Sequence, residues 1–257
     1  MGSTDKAGRG RTGCDKTGRN KTGWDRGPTV GEILRNLAFY ALFYGGSAVL
    51  VTFNMLTLFL PAGALIVMVG VWCRWHRWCC RHVLGIRVVV EGTMPDHPVL
   101  VAMRHESFFE AIDLPVLLGH PMIFAKQELL AIPLWGRLGR RYGLIAVDRD
   151  AGARALRSMI RAMRANAAAA ARPLVIFPEG TRIPHGEVRP LQAGFAGLYK
   201  MAGLPVVPIA VDSGPLYHRR WKRAGVIHYR IGAEIPPSMP REQVEAAVHS
   251  AINAINA

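Results

Sequence analysis

His105 and Glu110 stand five residues apart, directly after the β-branched run 99–103. Phe177-Pro178-Glu179-Gly180-Thr181-Arg182 ends and follows a second such run, 174–177. A spacing of five does not stack two side chains on one helix face, where neighbours are three or four apart. It does let a histidine in a loop meet a carboxylate from the first turn of the next helix. That carboxylate accepts a hydrogen bond from one ring nitrogen and fixes the tautomer, leaving the other nitrogen to take a proton. Glu106 and Asp113 are rival partners for the same histidine. In the second segment, Gly180 permits a tight turn with exposed backbone amides. Arg182 suits a two-pronged contact with a phosphate, and Glu179 is placed to hold the loop or an acceptor hydroxyl. Taken singly, these patterns have plainer readings: a surface hydrogen bond for the histidine, a structural ion pair between Glu179 and an arginine.

Two further strand ends repeat the design. Run 144–147 leads into Asp148 and Arg149, and run 122–125 into Lys126-Gln127-Glu128-Leu129. Three strands ending in Arg or Lys can converge on one anion. Pro133, Trp135, Arg137, Arg140 and Arg141 form a basic and aromatic stretch suited to lie against lipid headgroups.

Positioning these residues requires a regular scaffold. Strands are expected at 86–90, 99–103, 122–125, 144–147, 174–177, 206–211 and 226–231, with helices near 108–118, 152–171, 190–202 and 240–256. Such alternation implies an α/β domain, over residues 83–257, with a sheet covered by helices and binding loops at the strand ends.

Ahead of this domain the chain changes character. No charged residue occurs from Asn36 to Cys73, longer than the roughly 20 helical residues that cross a bilayer core. Pro61 and Gly63 interrupt the stretch, so two helices near 31–56 and 61–82 are expected to form a membrane-associated hairpin within residues 29–82. Arg35 precedes the stretch, and Arg74, Arg77 and Arg81 follow it. Basic flanks on both sides place both ends in the cytoplasm, whether the hairpin crosses twice or dips into one leaflet. Trp72, Trp75 and Trp78 cluster at its exit, where indoles favour the headgroup region. Residues 1–28 carry a ten-residue repeat with almost no apolar side chain and are expected to be a disordered basic tail.

Composition agrees with a membrane-surface protein. Half of the 257 residues are hydrophobic and the net charge is +14, pointing to an anionic partner such as acidic lipid or a phosphorylated substrate. The charge is scattered and no nucleic-acid module is visible, so nucleic acid is not an expected partner. The four cysteines do not form a disulfide framework or a closed metal site, so no metal is expected.

In order along the chain, four blocks resemble those of the membrane-bound glycerolipid acyltransferases, most closely the bacterial 1-acyl-sn-glycerol-3-phosphate acyltransferases. His105-x4-Glu110 resembles the His-x4-Asp block, Gly143–Arg149 the second, Phe177–Arg182 the Phe-Pro-Glu-Gly-Thr-Arg block, and Val207-Pro208-Ile209 the fourth. Lys126-Gln127-Glu128-Leu129 resembles the Lys-x-Glu-Leu stretch ahead of the second block. The resemblance spans roughly residues 86–235. It implies direct transfer of an acyl group from acyl-CoA or acyl carrier protein to lysophosphatidic acid, without cofactor, at the cytoplasmic face of the inner membrane. His105 would be the base and Glu110 its orienting partner. Arg149, Arg182 and Lys126 would hold the acceptor phosphate, and Glu179, Gly180 and Thr181 would bind substrate or shape the loop. One departure stands out: Glu110 replaces the family's Asp and carries its carboxylate about 1.5 Å further out. Other lysolipid acceptors, such as lyso-ornithine lipid, and a non-catalytic basic membrane-binding role are the competing readings.

Overall fold

The computed structural model describes residues 27–147, 156–157, 159–161, 172–218 and 220–256. The expected tail to residue 26, Arg149, and most of the expected helix 152–171 lie outside the described residues. The described part of that helix, 156–157 and 159–161, is helical.

Helix α1 (Val30–Leu56) opens with a capping box: Thr29 Oγ1 accepts from the Glu32 amide at 3.2 Å, and Glu32 accepts from the Thr29 amide at 2.7 Å. A short 3₁₀ turn, Thr57–Phe59, and Pro61 end it. Helix α2 (Ala62–Cys79) returns along it and runs through a π turn, Cys80–Leu84, into the sheet. The two helices pack closely at Gly46, where a Cβ would fall 2.4 Å from the Trp75 indole nitrogen. Trp72 stacks on Phe43 and donates to Ser47 Oγ at 2.9 Å.

Helix α1 with its 3₁₀ turn, Val30–Phe59, is the one helix among the described residues long and apolar enough to cross a membrane. It leaves large apolar side chains in the open: Leu34, Phe53 and Leu56 are exposed, and Phe59 is 87% exposed. In water, every Å² of such surface costs about 25 cal/mol. The expected second membrane helix differs. Its C-terminal half carries Arg74 and Arg77 and packs on the next domain helix. Both ends of α1 are also tied down. Asn36 accepts from the Lys222 amide at 2.8 Å and donates to its carbonyl at 2.9 Å. At the hairpin tip Arg141 donates to the carbonyls of Thr57 and Leu58, at 3.1 and 2.7 Å, and to that of Leu60.

All seven expected strands form: β1 (Ile86–Glu91), β2 (Leu100–Met103), β3 (Met122–Lys126), β4 (Leu144–Val147), β5 (Leu174–Ile176), β6 (Val206–Val211) and β7 (Gly225–Ile231). Their order is β1-β7-β6-β2-β5-β3-β4, parallel except for the antiparallel β6–β7 pair. The central strands β2 and β6 are buried throughout, as expected of a sheet covered on both faces. Alternate side chains serve opposite cores. Val101 and Met103 pack with Phe39, Cys79 and Phe109 on the hairpin side. Leu100 and Ala102 pack with Phe195, Leu198, Val244 and Val248 on the other.

Helix α3 (Phe108–Leu118) follows β2. Two short helices not expected from the sequence, α4 (Gln127–Ala131) and α5 (Trp135–Tyr142), follow β3. The expected helix 190–202 begins only at Gly194, giving α6 (Gly194–Ala202). The segment before it stays non-helical, with the Gln192 amide bonded to the Pro178 carbonyl at 2.8 Å. Helix α7 (Arg241–Ile252) stops short of 256, because Asn253 and Asn256 turn inward to Arg104.

Helix α2 is bolted to α3 by Arg77, which grips Asp113 with two nitrogens at 2.8 and 2.5 Å. Asp113 is fully buried, so removing the cation strands a charge. Arg77→Met is expected to cost about 3–5 kcal/mol. Adding Asp113→Asn should recover a large part of that loss, as measured by denaturation in detergent; equal instability of the double variant would contradict the ion-pair account.

Candidate active site

The parallel strands β2, β3, β4 and β5 bring their C-terminal ends to one edge of the sheet, the edge where α/β folds place ligands. His105 lies two residues past the end of β2. Its ring stacks on Phe177, with centroids 4.2 Å apart. Its Nδ1 is 2.9 Å from Glu110 Oε1. Nδ1 therefore donates to the carboxylate, and Nε2, which makes no hydrogen bond among the described residues, keeps its lone pair. Of the candidate partners, Glu110 is the one engaged. Glu106 pairs instead with Arg104 and His185, and Asp113 with Arg77.

Glu110 is fully buried at the third position of α3. Ser107 caps that helix, accepting from the Phe109 amide at 3.0 Å. Glu110 Oε1 accepts from the amides of Glu106 and Ser107, both at 2.6 Å. Oε2 lies 2.9 Å from Ser107 Oγ and 2.6 Å from Ser213 Oγ. One carboxylate thus completes a capping box and fixes the histidine. The glutamate preferred at this capping position gives a physical reason for the extra methylene. Burial pushes the Glu110 carboxyl up, but the hydrogen bonds from His105, Ser213 and Ser107 outweigh it and hold the group below the usual carboxylate range.

The segment after β5 packs directly on this pair. Glu179 is buried and accepts from the His105 amide at 3.2 Å and from Arg104 Nη1 at 3.0 Å. Of the two roles expected for it, its contacts are those of a loop holder. Gly180 turns the chain at φ 72°, and a Cβ there would sit 2.8 Å from Gln192 Cγ. The Ile183 amide donates to the His105 carbonyl at 2.8 Å, which brings the intervening Thr181 and Arg182 beside the histidine. Both are exposed, and the Arg182 guanidinium lies 4.1 Å over the Phe108 ring. Lys126 pairs with Glu128 at 2.9 Å, both half-exposed, and does not line the cleft that contains Arg182. Of the basic stretch after it, Arg140 and Arg141 bind backbone carbonyls.

Beneath the loop lies a buried ionic cluster that sequence reading missed. Arg104 is completely buried and donates to Glu106, Glu179, Asn253, Asn256 and the carbonyls of Pro184 and Glu187. Glu106 also accepts from the Gly214 amide at 2.8 Å and faces His185 Nδ1 at 3.0 Å. That hydrogen bond raises the His185 pKa from its ordinary value. The capping box was legible as Ser107-x-x-Glu110. Apart from Glu106, the side-chain partners of Arg104 lie 75 to 152 residues away, so no local signal announces them.

Residues 85–212 match the family model Acyltransferase. A Pseudomonas aeruginosa protein named 1-acyl-sn-glycerol-3-phosphate acyltransferase is 34% identical over 179 residues, 66% of each chain. A human relative, 1-acyl-sn-glycerol-3-phosphate acyltransferase alpha, is 31% identical over 137 residues, 52% of this chain and 48% of its own. The matched region thus spans half to just under two thirds of those relatives. The crystal structure of the 1-acyl-sn-glycerophosphate (LPA) acyltransferase PlsC from Thermotoga maritima shares the fold, with TM-score 0.66 and 23% identity, over 88% of this chain and 98% of that one.

Two substitutions separate the roles of Glu110. Glu110→Gln can still accept from the Ser107 amide, whereas Glu110→Asp falls short of it and should cost about 1 kcal/mol. The depressed folded pKa of Glu110 adds stability that is complete above its ordinary value of 4.5 and lost as pH falls through the lower folded value. Glu110→Gln should abolish this part of the acid dependence in denaturation measured against pH; an unchanged profile would mean the carboxylate is not held ionised by its donors. The matching family model and its relatives agree with the ordered blocks and the sheet: through residues 85–212, the chain belongs to the Acyltransferase family.

Proposed function

We propose that the protein transfers a fatty acyl group from acyl-CoA or acyl carrier protein to the sn-2 hydroxyl of lysophosphatidic acid, giving phosphatidic acid. The observation that carries this reading is the His105–Glu110 pair at 2.9 Å, beside the loop that presents Arg182. The names of the Pseudomonas and human relatives point to the same acceptor.

In this mechanism His105 Nε2 takes the proton of the acceptor hydroxyl. The oxygen attacks the thioester carbonyl carbon, backbone amides at the site stabilise the resulting oxyanion, and the C–S bond breaks as the carbonyl re-forms. The imidazolium returns its proton to the departing thiolate. Glu110, ionised and buried, stabilises the imidazolium in between. Direct transfer is supported by the state of the serines nearest His105 and of three cysteines among the described residues. Ser107 and Ser213 are buried and bonded to Glu110. Cys73, Cys79 and Cys80 are buried around the end of α2. Arg182 receives the acceptor phosphate, with Arg149 as a further candidate. No metal takes part in this scheme.

The exposed apolar face of α1 supports work at a membrane surface, where a lysolipid reaches the site without crossing water. Because α1 is tied to the domain at both Asn36 and its tip, we read the hairpin as dipping into one leaflet beside the domain. The basic flanks of the apolar stretch favour the cytoplasmic face of the inner membrane.

His105→Ala should lower thiol release from acyl-CoA and lysophosphatidic acid by about 10²–10⁴-fold, with the protein still folded and membrane-bound; turnover close to wild type would sink the mechanism. Arg182→Ala should raise the apparent KM for the acceptor by roughly tenfold or more, and an unchanged acceptor dependence would remove Arg182 from the phosphate site.

A further inference from the structure

Phe108 and Phe109 stand side by side at the start of α3 and differ sharply in burial. Phe109 is fully buried in the core on the hairpin side of the sheet. Phe108 is 60% exposed, and among the described residues it joins none of the buried apolar clusters. A large ring left in the open adds nothing to the core and carries a hydration cost. Its place is nonetheless well defined. Ser107 caps α3, Phe108 is the first residue of the helix, and Glu110, which completes the capping box, binds His105. The ring is therefore indexed to the same helix end as the proposed base.

What the ring touches is Arg182. The guanidinium carbon lies 4.1 Å from the centroid of the Phe108 ring, inside the roughly 6 Å over which an aromatic face attracts a cation. Both residues line a cleft of about 320 Å³ between the hairpin and the α/β domain. Other arginines near the site are engaged differently. Arg77 is held by Asp113, and Arg104 by Glu106 and Glu179. Among the described residues, no hydrogen bond or ion pair engages Arg182; the ring does. A carboxylate would occupy the N–H donors of the guanidinium, whereas a ring face steadies the cation and leaves those donors for a phosphate. An arginine on an exposed loop otherwise samples many rotamers, and ordering it on binding works against affinity. A ring that already holds the guanidinium removes part of that penalty.

We propose that Phe108 is a positioning residue for the acyl acceptor: it holds the Arg182 guanidinium in place to receive the phosphate, and so ties phosphate binding to the helix end that carries Glu110. The proposal rests on the acceptor-phosphate reading above. Phe108 acts through Arg182 rather than on the reacting atoms.

The test is equilibrium binding of oleoyl lysophosphatidic acid to the full chain in detergent micelles, without acyl donor. The proteins compared are the wild type, Phe108→Leu, Phe108→Tyr, Arg182→Ala, and the double variant Phe108→Leu with Arg182→Ala. Leucine keeps apolar bulk and removes the aromatic face; tyrosine keeps the face. Phe108→Leu should weaken binding about fivefold, and Phe108→Tyr should stay within about twofold of the wild type. In the Arg182→Ala background, Phe108→Leu should change binding by less than about twofold. Wild-type affinity in Phe108→Leu would overturn the proposal. So would an equal loss with and without Arg182, which would make the ring an apolar wall or a membrane contact, and so would a loss in Phe108→Tyr as large as that in Phe108→Leu. Unchanged binding in Arg182→Ala would remove the phosphate contact and the proposal with it. Thiol release is measured separately on the wild type: its absence with lysophosphatidic acid would defeat the acyl-transfer reading, whereas the binding comparison alone decides the role of Phe108.

Discussion

A buried carboxylate must be met by donors, and Glu110 has five donor atoms around it: His105 Nδ1, two backbone amides and two serine hydroxyls. Those atoms belong to the loop between β2 and α3 and to the segment after β6. Two pieces of chain therefore have to arrive together, or a desolvated charge is left unpaired at a cost of several kcal/mol. The same constraint sets the histidine's tautomer. Stability and chemistry are here one interaction seen from two sides, because the groups that keep Glu110 ionised also make it able to hold a proton on Nδ1.

A second buried charge system extends this order outward. Arg104 joins Glu106, Glu179 and the last asparagines of the chain, so the loop that presents Arg182 is fixed from below rather than at its exposed tip. The hairpin is fixed by a third device, backbone carbonyls and amides held by Asn36 and Arg141. An asparagine in a mostly apolar helix would be expensive in hydrocarbon without such partners. Its two bonds to Lys222 turn that cost into a location: one end of α1 has a fixed place beside the domain.

Much of the scaffold was legible because it depends on local pattern. The β-branched runs produced seven strands, and the uncharged stretch broken at Pro61 produced a helical pair. The helix near 190 was misjudged by four residues because Gln192 is held by Pro178 from another segment, a contact that no local propensity records. Helices α4 and α5 escaped notice because both are short, and α5 is rich in Gly and Arg. The grouping of Lys126 with Arg182 came from strand-end logic; the side chain pairs with Glu128 instead, its nearest acid in sequence.

The sequence by itself determined which residues are equipped for chemistry: His105 with a carboxylate five residues on, and an arginine one residue beyond a glycine turn and a threonine. It also determined that a long apolar element precedes them. Only the tertiary structure decided that Glu110, rather than Glu106 or Asp113, faces the histidine. The reason is that each of those rivals is claimed by a different cation, His185 with Arg104 for one and Arg77 for the other. It also decided that Lys222, 40 residues after Arg182 in the chain, shares a cleft with it. Local pattern fixes what a segment can form, whereas charge pairing in a dry interior depends on which segments meet.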